Sequence, residues 1–318
     1  MSTVVAESID SPVFAGETDA LLNRFANEPA GPSLGPYLAL LNDRLELPDP
    51  ELAGMVDPRT NPRDLRIDLP GRTLEARVYQ PVHSTGPAPI VLWLHGGGFI
   101  GGHLRDIEYA TSGIAAAGNV VVVSLNYRLA PEDPYPAGLN DVHDALIWIR
   151  EHAAELGGDG RIAVGGQSAG AGLAAGACLV ARDNGSPLPD HQILCYPSLD
   201  HEQDTESYRL FDGTFLSIAP GRWSSAQYFP TGELPAAAVP LRAASLARLP
   251  PALILAAGRD PLRDDARHYA ERLDGPVRLV EYAETMHAFL NFPAVLSAGR
   301  HAVELIGAHL REVFYPPA

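Results

Sequence analysis

Two stretches of the chain match the pattern Gly-x-Ser-x-Gly, in which a serine stands between two glycines. One is residues 31–35 (GPSLG), centred on Ser33, and the other is residues 166–170 (GQSAG), centred on Ser168. Where a strand precedes such a pattern and a helix follows it, the backbone turns sharply and exposes the serine hydroxyl as a nucleophile. The pattern therefore indicates attack on an acyl group, and the flanking sequence decides between the two serines.

The sequence around Ser168 fits a strand-to-helix turn, whereas the sequence around Ser33 does not. Residues 161–164 have the apolar character of a strand, and the small residues after Ser168 suit a helix packed closely on a sheet. Pro32 and Pro36 flank Ser33 and disfavour a helix start there. We therefore predict Ser168 as the nucleophile. On this motif alone, a serine that only caps a helix is the alternative.

A glycine-rich segment, residues 95–99 (HGGGF), directly follows the continuous apolar run of residues 89–94 (PIVLWL). Attack on an ester carbonyl produces an oxyanion, which is stabilised by backbone N–H groups already directed at it. Consecutive glycines let the main chain approach a ligand without a Cβ atom in the way. We expect the N–H groups of Gly97, Gly98 and Ala169 to form this oxyanion hole, and a merely flexible loop is the alternative.

Asp260 is the predicted acid of the site. A nucleophile in this setting precedes its acid, which precedes its histidine, and Asp260 follows the strand-like residues 251–257. Pro261 suits the first turn of a helix, so a pure helix cap is the alternative role for Asp260. Asp264 and Asp265 fall inside that helix and are expected to be solvated charges of its first turn.

His287 is the predicted general base. It lies between the last strand and the last helix, in a loop expected to overhang the carboxyl edge of the sheet. A surface-loop histidine is the alternative, and His268 has the spacing of an exposed helical face. In this mechanism His287 takes the proton from Ser168 and returns it to the leaving alcohol. Asp260 orients the imidazole, and water completes the cycle.

No cofactor and no metal ion are predicted for this chemistry. The chain contains neither an H-E-x-x-H pattern nor cysteines at metal-binding spacing. Its two cysteines, Cys178 and Cys195, lie in apolar segments and are expected to be buried thiols. All 23 basic residues are Arg, which excludes Schiff-base lysine chemistry and a phosphate-binding lysine.

The charge balance argues against two classes of partner. The formal net charge is −16, and an acidic surface repels nucleic-acid phosphates and anionic lipid headgroups. We therefore expect no nucleic-acid partner and no membrane partner. The first residues lack a basic and then apolar leader pattern, and no apolar run reaches about 18 residues, so a cytoplasmic location is expected.

Strand-like and helix-like segments alternate from residue 65 onwards, which predicts an α/β fold with a mostly parallel central sheet flanked by helices. Residues 1–50 contain helix-like pieces at 19–27 and 36–45 and no strand alternation, and residues 200–230 read as an excursion above the sheet. The strand-like segments are 65–69, 73–79, 89–94, 120–125, 162–164, 193–196, 252–256 and 277–282. The helix-like segments are 107–117, 138–156, 169–183, 262–273 and 294–314.

The linked motifs resemble the hormone-sensitive-lipase-like branch of the α/β-hydrolases, the bacterial family IV carboxylesterases, over about residues 65–315. Those motifs are HGGGF at residue 95, YRLAPE at 127, GQSAG at 166, DPLRD at 260 and MHAF at 286. The resemblance implies an oxyanion hole at HGGGF, a triad of Ser168, Asp260 and His287, and esters with short to medium acyl chains as substrates. It also carries the expectation of a homodimer.

By the same resemblance, a helical cap covers the site. Residues 1–50 would form its N-terminal part, and residues 51–318 the catalytic domain, with a cap insertion at about 201–230. The chain departs from the family at two places. Gln167 stands where Asp, Glu or Thr is usual before the nucleophile, and Ala288 stands where Gly is usual after the histidine.

Two other kinds of function are compatible with such a scaffold. One is a non-catalytic small-molecule receptor, as in the plant gibberellin receptors, which resemble this family but lack the catalytic histidine; the presence of His287 argues against it. The other is a different reaction on the same fold, either that of a dehydratase or that of an amide or peptide hydrolase. For an esterase, a panel of esters graded by acyl length would identify the substrate preference, because the sequence names neither the acid nor the alcohol of the substrate.

Overall fold

A nine-stranded sheet forms the centre of the protein in the computed structural model, which describes residues 3–27 and 50–316. Along the sheet the order is β1-β9-β8-β7-β6-β4-β5-β3-β2, and among these strands only β3 runs against the others. The strands are β1 (Thr3–Ile9), β2 (Thr60–Leu69), β3 (Arg72–Pro81), β4 (Ala88–Leu94), β5 (Val121–Asn126), β6 (Gly158–Gln167), β7 (His191–Cys195), β8 (Ala252–Arg259) and β9 (Pro276–Met286).

Helices cover both faces of the sheet. Those described are α1 (Pro12–Asn27), α2 (Pro50–Ala53), α3 (Glu108–Gly118), α4 (Ala137–Glu151), α5 (Ala169–Asn184), α6 (Glu206–Phe211), α7 (Ile218–Tyr228), α8 (Arg263–Arg272) and α9 (Ser297–Phe314). Buried side chains of α4, α5 and α8 share one core, and those of α1, α3 and α9 share the other. The predicted fold class is therefore confirmed. No helix among the described residues is long and apolar enough to cross a membrane.

Strand β4 shows why its sequence is continuously apolar. All seven of its residues are buried. Successive side chains of a strand point to opposite faces, so Leu92 and Leu94 pack into one core while Val91 and Trp93 pack into the other. A strand with helices on both faces has no polar side, which confirms the prediction made from the PIVLWL run.

The prediction of no strand within residues 1–50 is wrong. Strand β1 pairs in parallel with β9, from Thr3 opposite Pro276 to Ile9 opposite Tyr282. Six of its seven residues are exposed because it forms the edge of the sheet, so its sequence carries no alternation of buried and exposed positions. Helix α1 contains the predicted piece at 19–27, whereas Ser33 and the predicted helix at 36–45 lie outside the described residues.

Strands β8 and β9 approach each other unusually closely just before their carboxyl ends. The pairing register shifts between Ala257 and Arg259, at Gly258. A Cβ atom on Gly258 would lie 2.0 Å from the carbonyl oxygen of Ala283, so only glycine fits there. This approach fixes where the chain emerges from β8, directly before Asp260.

We therefore expect Gly258→Ala to lower the free energy of unfolding by about 1–3 kcal/mol, the usual cost of overpacking, because backbone must move to admit the methyl group. Urea unfolding followed by circular dichroism measures this. Gly275→Ala is the matched control, since its added Cβ would meet nothing closer than 3.8 Å. Equal stability of the two variants would contradict the packing argument.

Candidate active site

Ser168 occupies the turn between β6 and α5, with backbone angles φ 55° and ψ −122°. Such angles are strained for a residue with a side chain. A Cβ atom on Gly166 would lie 2.7 Å from the carbonyl oxygen of Leu94, and one on Gly170 would lie 2.3 Å from that of His95. The two glycines of the motif are therefore required because the end of β4 passes directly against the turn.

A chain of hydrogen bonds joins the three predicted side chains. His287 Nε2 lies 2.9 Å from Ser168 Oγ, and His287 Nδ1 lies 2.7 Å from Asp260 Oδ2. A carboxylate only accepts, so Nδ1 carries the proton and Nε2 is free to accept the proton of the serine hydroxyl. All three residues are buried. A nucleophilic serine in contact with its base has this arrangement of donors and acceptors.

Each of these residues follows a different parallel strand. Ser168 follows β6, Asp260 follows β8 and His287 follows β9, so all three emerge at the carboxyl edge of the sheet. The alternative role of Asp260 as a cap is partly realised, because its Oδ1 accepts the N–H of Leu262 at 2.9 Å while Oδ2 binds the imidazole. His268, by contrast, is exposed on α8.

The HGGGF loop bends through conformations that favour glycine. Gly97 and Gly98 have φ of 121° and 61°, and a Cβ atom on Gly97 would lie 2.1 Å from the carbonyl oxygen of Gly101. Among the described residues, none accepts a hydrogen bond from the N–H of Gly97, Gly98 or Ala169. Gly98 and Ala169 line a small cavity beside Ser168, of about 40 Å³, whereas Gly97 is not part of its wall.

His95 supports this loop and takes no part in the hydrogen-bond chain. Its Nδ1 donates to the carbonyl oxygen of Gly96 at 2.7 Å, and its ring stacks on Tyr127 with centroids 4.3 Å apart. Tyr127, from the YRLAPE motif, donates its hydroxyl to the carbonyl oxygen of His95 at 2.8 Å. Burial lowers the pKa of His95 to about 4, so the ring is neutral.

Gln167, the unusual residue before the nucleophile, connects the two halves of the site. Its buried Nε2 donates to Oδ1 of Asn291, which ends the 3₁₀ turn Phe289–Asn291 shortly after His287. Oε1 of Gln167 has no partner among the described residues. The side chain thus links the turn that carries the serine to the turn that follows the histidine, through an uncharged amide pair that sequence inspection did not reveal.

The prediction that Asp264 and Asp265 are solvated charges is wrong. Both are buried, and both hold the excursion between β7 and β8. Asp264 Oδ2 accepts the N–H of Ser207 at 2.8 Å, and Asp265 Oδ2 accepts the N–H groups of Leu199 and Asp200 at 3.1 and 3.0 Å. Burial raises the pKa of Asp265 well above its usual value. These contacts span more than 50 residues, so the local helical pattern could not show them.

The excursion also contacts the glycine-rich loop. Ser224 of α7 donates its hydroxyl to the carbonyl oxygen of Gly98. The wall of the cavity beside Ser168 includes Leu216 and Gly221 from the same excursion. The segment therefore touches the site on two sides. Among the described residues, no group of three or more His, Cys, Asp or Glu side chains is arranged to hold a metal ion.

Comparison with known proteins agrees with this geometry. Residues 91–291 match the family described as having the alpha/beta hydrolase fold. The chain belongs to the α/β-hydrolase family.

The resemblance to the hormone-sensitive-lipase-like branch is confirmed by relatives from Mycobacterium tuberculosis. The esterase LipI is 38% identical over 271 residues, covering 82% of this chain and 84% of LipI. The carboxylesterase NlhH is 37% identical over 269 residues, covering 80% of each.

Solved structures extend the likeness across nearly the whole α/β-hydrolase chain. A thermostable esterase from Pseudomonas putida ECU1011 superposes with a TM-score of 0.84 at 28% identity, over 96% of this chain and 99% of that one. An esterase from Pyrobaculum calidifontis superposes with a TM-score of 0.79 at 32% identity, over 95% and 98% of the two chains. The likeness therefore includes the sheet and the segments around the site.

Ala288, the second departure from the family pattern, has the left-handed angles φ 61° and ψ 21°. Left-handed angles destabilise a residue with a Cβ atom by about 1–2 kcal/mol. Glycine avoids this cost, but its greater conformational freedom in the unfolded chain lowers stability by about 0.5–1 kcal/mol. We expect Ala288→Gly to raise the free energy of unfolding by about 0.5–1 kcal/mol in urea denaturation.

The control for this variant is Ala20→Gly, at an exposed position inside α1. It is expected to lose about 0.5–1 kcal/mol, because a right-handed helix offers glycine no compensation. A loss of stability in Ala288→Gly as large as that in Ala20→Gly would show that the left-handed angles carry no cost.

Proposed function

We propose that this α/β-hydrolase is a serine carboxylesterase that cleaves short- to medium-chain carboxylic esters through an acyl-enzyme. The observation that carries the proposal is the hydrogen-bond chain from Ser168 through His287 to Asp260, with donor and acceptor atoms 2.9 and 2.7 Å apart. The relatives named as esterases and carboxylesterases support the same reaction. No cofactor enters the proposed mechanism.

In the first half of the reaction, Ser168 Oγ attacks the ester carbonyl while His287 Nε2 takes its proton. The carbonyl oxygen becomes an oxyanion and accepts from the N–H groups of Gly97, Gly98 and Ala169, which have no other acceptor among the described residues. When this intermediate collapses, the bond to the alkoxide breaks, and His287 gives the proton to the departing alcohol.

In the second half, water attacks the acyl-enzyme. His287 takes a proton from that water, and the second oxyanion binds the same donors. Collapse releases the carboxylic acid and returns the proton to Ser168. Asp260 stays ionised throughout and stabilises the imidazolium formed in each half, because its Oδ2 faces Nδ1 at 2.7 Å.

We further propose that the excursion at about 201–230 and helix α1 of the N-terminal segment form a cap over the site. Residues of the excursion, including Leu216 and Ser224, form part of the wall of the cavity beside Ser168. Phe25 of α1 packs against Phe215 of the excursion with ring centroids 5.8 Å apart. A cavity of about 40 Å³ under this cap favours a small substituent next to the scissile bond.

Replacement of the nucleophile tests the proposal directly. In Ser168→Ala we expect turnover of p-nitrophenyl butyrate to fall on the order of 10⁴-fold or more, because no acyl-enzyme forms. Circular dichroism and the unfolding midpoint should match the wild type. Persistence of wild-type turnover in a folded Ser168→Ala protein would overturn the assignment of the nucleophile.

Covalent labelling identifies the reactive serine independently of turnover. An organophosphate should phosphorylate Ser168, whose hydroxyl is in contact with His287 and through it with Asp260. It should leave Ser33 unmodified, because Pro32 and Pro36 disfavour a strand-to-helix turn there. Peptide mass spectrometry locates the adduct. An adduct at Ser33, or equal labelling of Ser168→Ala, would contradict the mechanism.

The two candidate histidines should respond differently. His287→Ala removes the base, so we expect kcat to fall on the order of 10⁴-fold or more. His268→Ala alters only an exposed side chain of α8 and should leave kcat within about twofold of the wild type. Steady-state kinetics with one ester distinguishes them, and similar losses in both variants would refute the choice of base.

A further inference from the structure

The cavity beside Ser168 has a polar wall that the esterase mechanism does not use. Its apolar members, Phe99, Leu216 and Leu262, are accompanied by hydroxyl, imidazole and amide groups. Those polar residues are Ser198, His201, Gln203, Ser224 and Ser225. The alkyl chain of a simple carboxylic ester cannot form hydrogen bonds with these polar groups. Each polar group therefore needs another hydrogen-bond partner.

His201 has an unpaired ring nitrogen, Nε2, in this wall. Its other ring nitrogen, Nδ1, lies 3.0 Å from Ser225 Oγ, and either of these two atoms can be the donor of that hydrogen bond. Nε2 is enclosed and has no partner among residues 3–27 and 50–316. The ring is fixed between Phe99 and Phe229, with centroids 5.5 and 4.9 Å away. Burial lowers its pKa to about 4, which keeps it neutral.

Gln203 presents an unpaired carbonyl in the same wall. Its Oε1 is buried without a partner in the part of the chain that the structure describes. The backbone of Gln203 has φ 55°, a strained angle for a residue with a side chain. The amide lies against Gly221, where an added Cβ atom would come within 2.9 Å of Gln203 Nε2. The left-handed backbone of Gln203 and the absence of a Cβ atom on Gly221 together allow the amide to lie beside the cavity.

We infer that this wall is a subsite for a neutral hydrogen-bonding substituent, a hydroxyl above all, on the ester that Ser168 cleaves. A hydroxyl both accepts and donates, so it can pair with His201 Nε2 in either tautomer of the ring, and where Nε2 carries the proton it can also donate to Gln203 Oε1. Buried polar groups without partners are costly, and binding such a substrate removes that cost, whereas an alkyl chain does not. None of the described residues in the wall is Arg and the protein has no Lys, so this part of the chain offers a carboxylate substituent no counter-charge there.

This inference rests on the proposed esterase function and adds the substrate class to it. The test compares esters that differ only by one hydroxyl. On the acyl side these are p-nitrophenyl butyrate and p-nitrophenyl 3-hydroxybutyrate, and on the alcohol side butyl butyrate and 3-hydroxybutyl butyrate. We expect the wild type to prefer the hydroxylated member of at least one pair by about tenfold or more in kcat/KM, and the pair that responds shows which half of the ester occupies the subsite.

His201→Phe keeps an aromatic ring and removes both nitrogen atoms. We expect it to bring the preference close to one, because the hydroxyl loses its partner on the ring. Gln203→Met, which replaces the whole amide group by an apolar thioether of similar length, should lower the preference about three- to tenfold. His268→Phe is the matched control on the exposed face of α8 and should leave the preference unchanged.

Two outcomes overturn the subsite. One is a wild-type preference near or below one in both pairs, and the other is a preference that survives in both His201→Phe and Gln203→Met. In either case hydrolysis of p-nitrophenyl butyrate, abolished by Ser168→Ala, would leave the esterase function standing. If the wild type hydrolyses none of the four esters, the esterase proposal and the subsite fall together.

Discussion

The contact between His287 and Ser168 is the interaction on which the rest of the site depends. It joins residues 119 positions apart in the chain, and it exists only because β6 and β9 deliver their carboxyl ends to one place. Strand β8, which directly precedes Asp260, must end at the same edge of the sheet. Backbone therefore has to approach backbone closely, and glycine at positions 166, 170 and 258 removes the Cβ atoms that would prevent it.

The polar groups around this contact are uncharged or form hydrogen bonds with one another. His95 is neutral under the oxyanion loop, and Gln167 forms an amide pair with Asn291 where the family pattern usually has Asp, Glu or Thr. Among the buried carboxylates, Asp260 faces the imidazole directly. Charges in a buried site interact strongly, so an uncharged surrounding leaves the Asp260–His287 pair as the main local influence on the serine.

The excursion between β7 and β8 is attached to both sides of the site. Asp264 and Asp265 hold it to the helix that follows Asp260, and Ser224 holds it to the loop at Gly98. A movement of this segment would therefore displace both the start of the helix after Asp260 and the glycine-rich loop at Gly98. The same segment supplies His201 and Gln203 to the wall of the cavity beside Ser168.

The sequence by itself determined which three residues are the candidates for the site and the order in which they follow one another along the chain. Ser168, Asp260 and His287 follow strand-like runs in a fixed order, and local patterns are sufficient to find such runs, as β4 illustrates. Tertiary structure decided what local patterns do not encode. Strand β1 is recognisable only by its pairing with β9, because an exposed edge strand has no buried face. Asp265 reads as a solvated helix residue, yet it is buried by a segment more than 60 residues away. Burial and hydrogen-bond partners depend on which distant segments meet, and that is settled only when the strands assemble into one sheet.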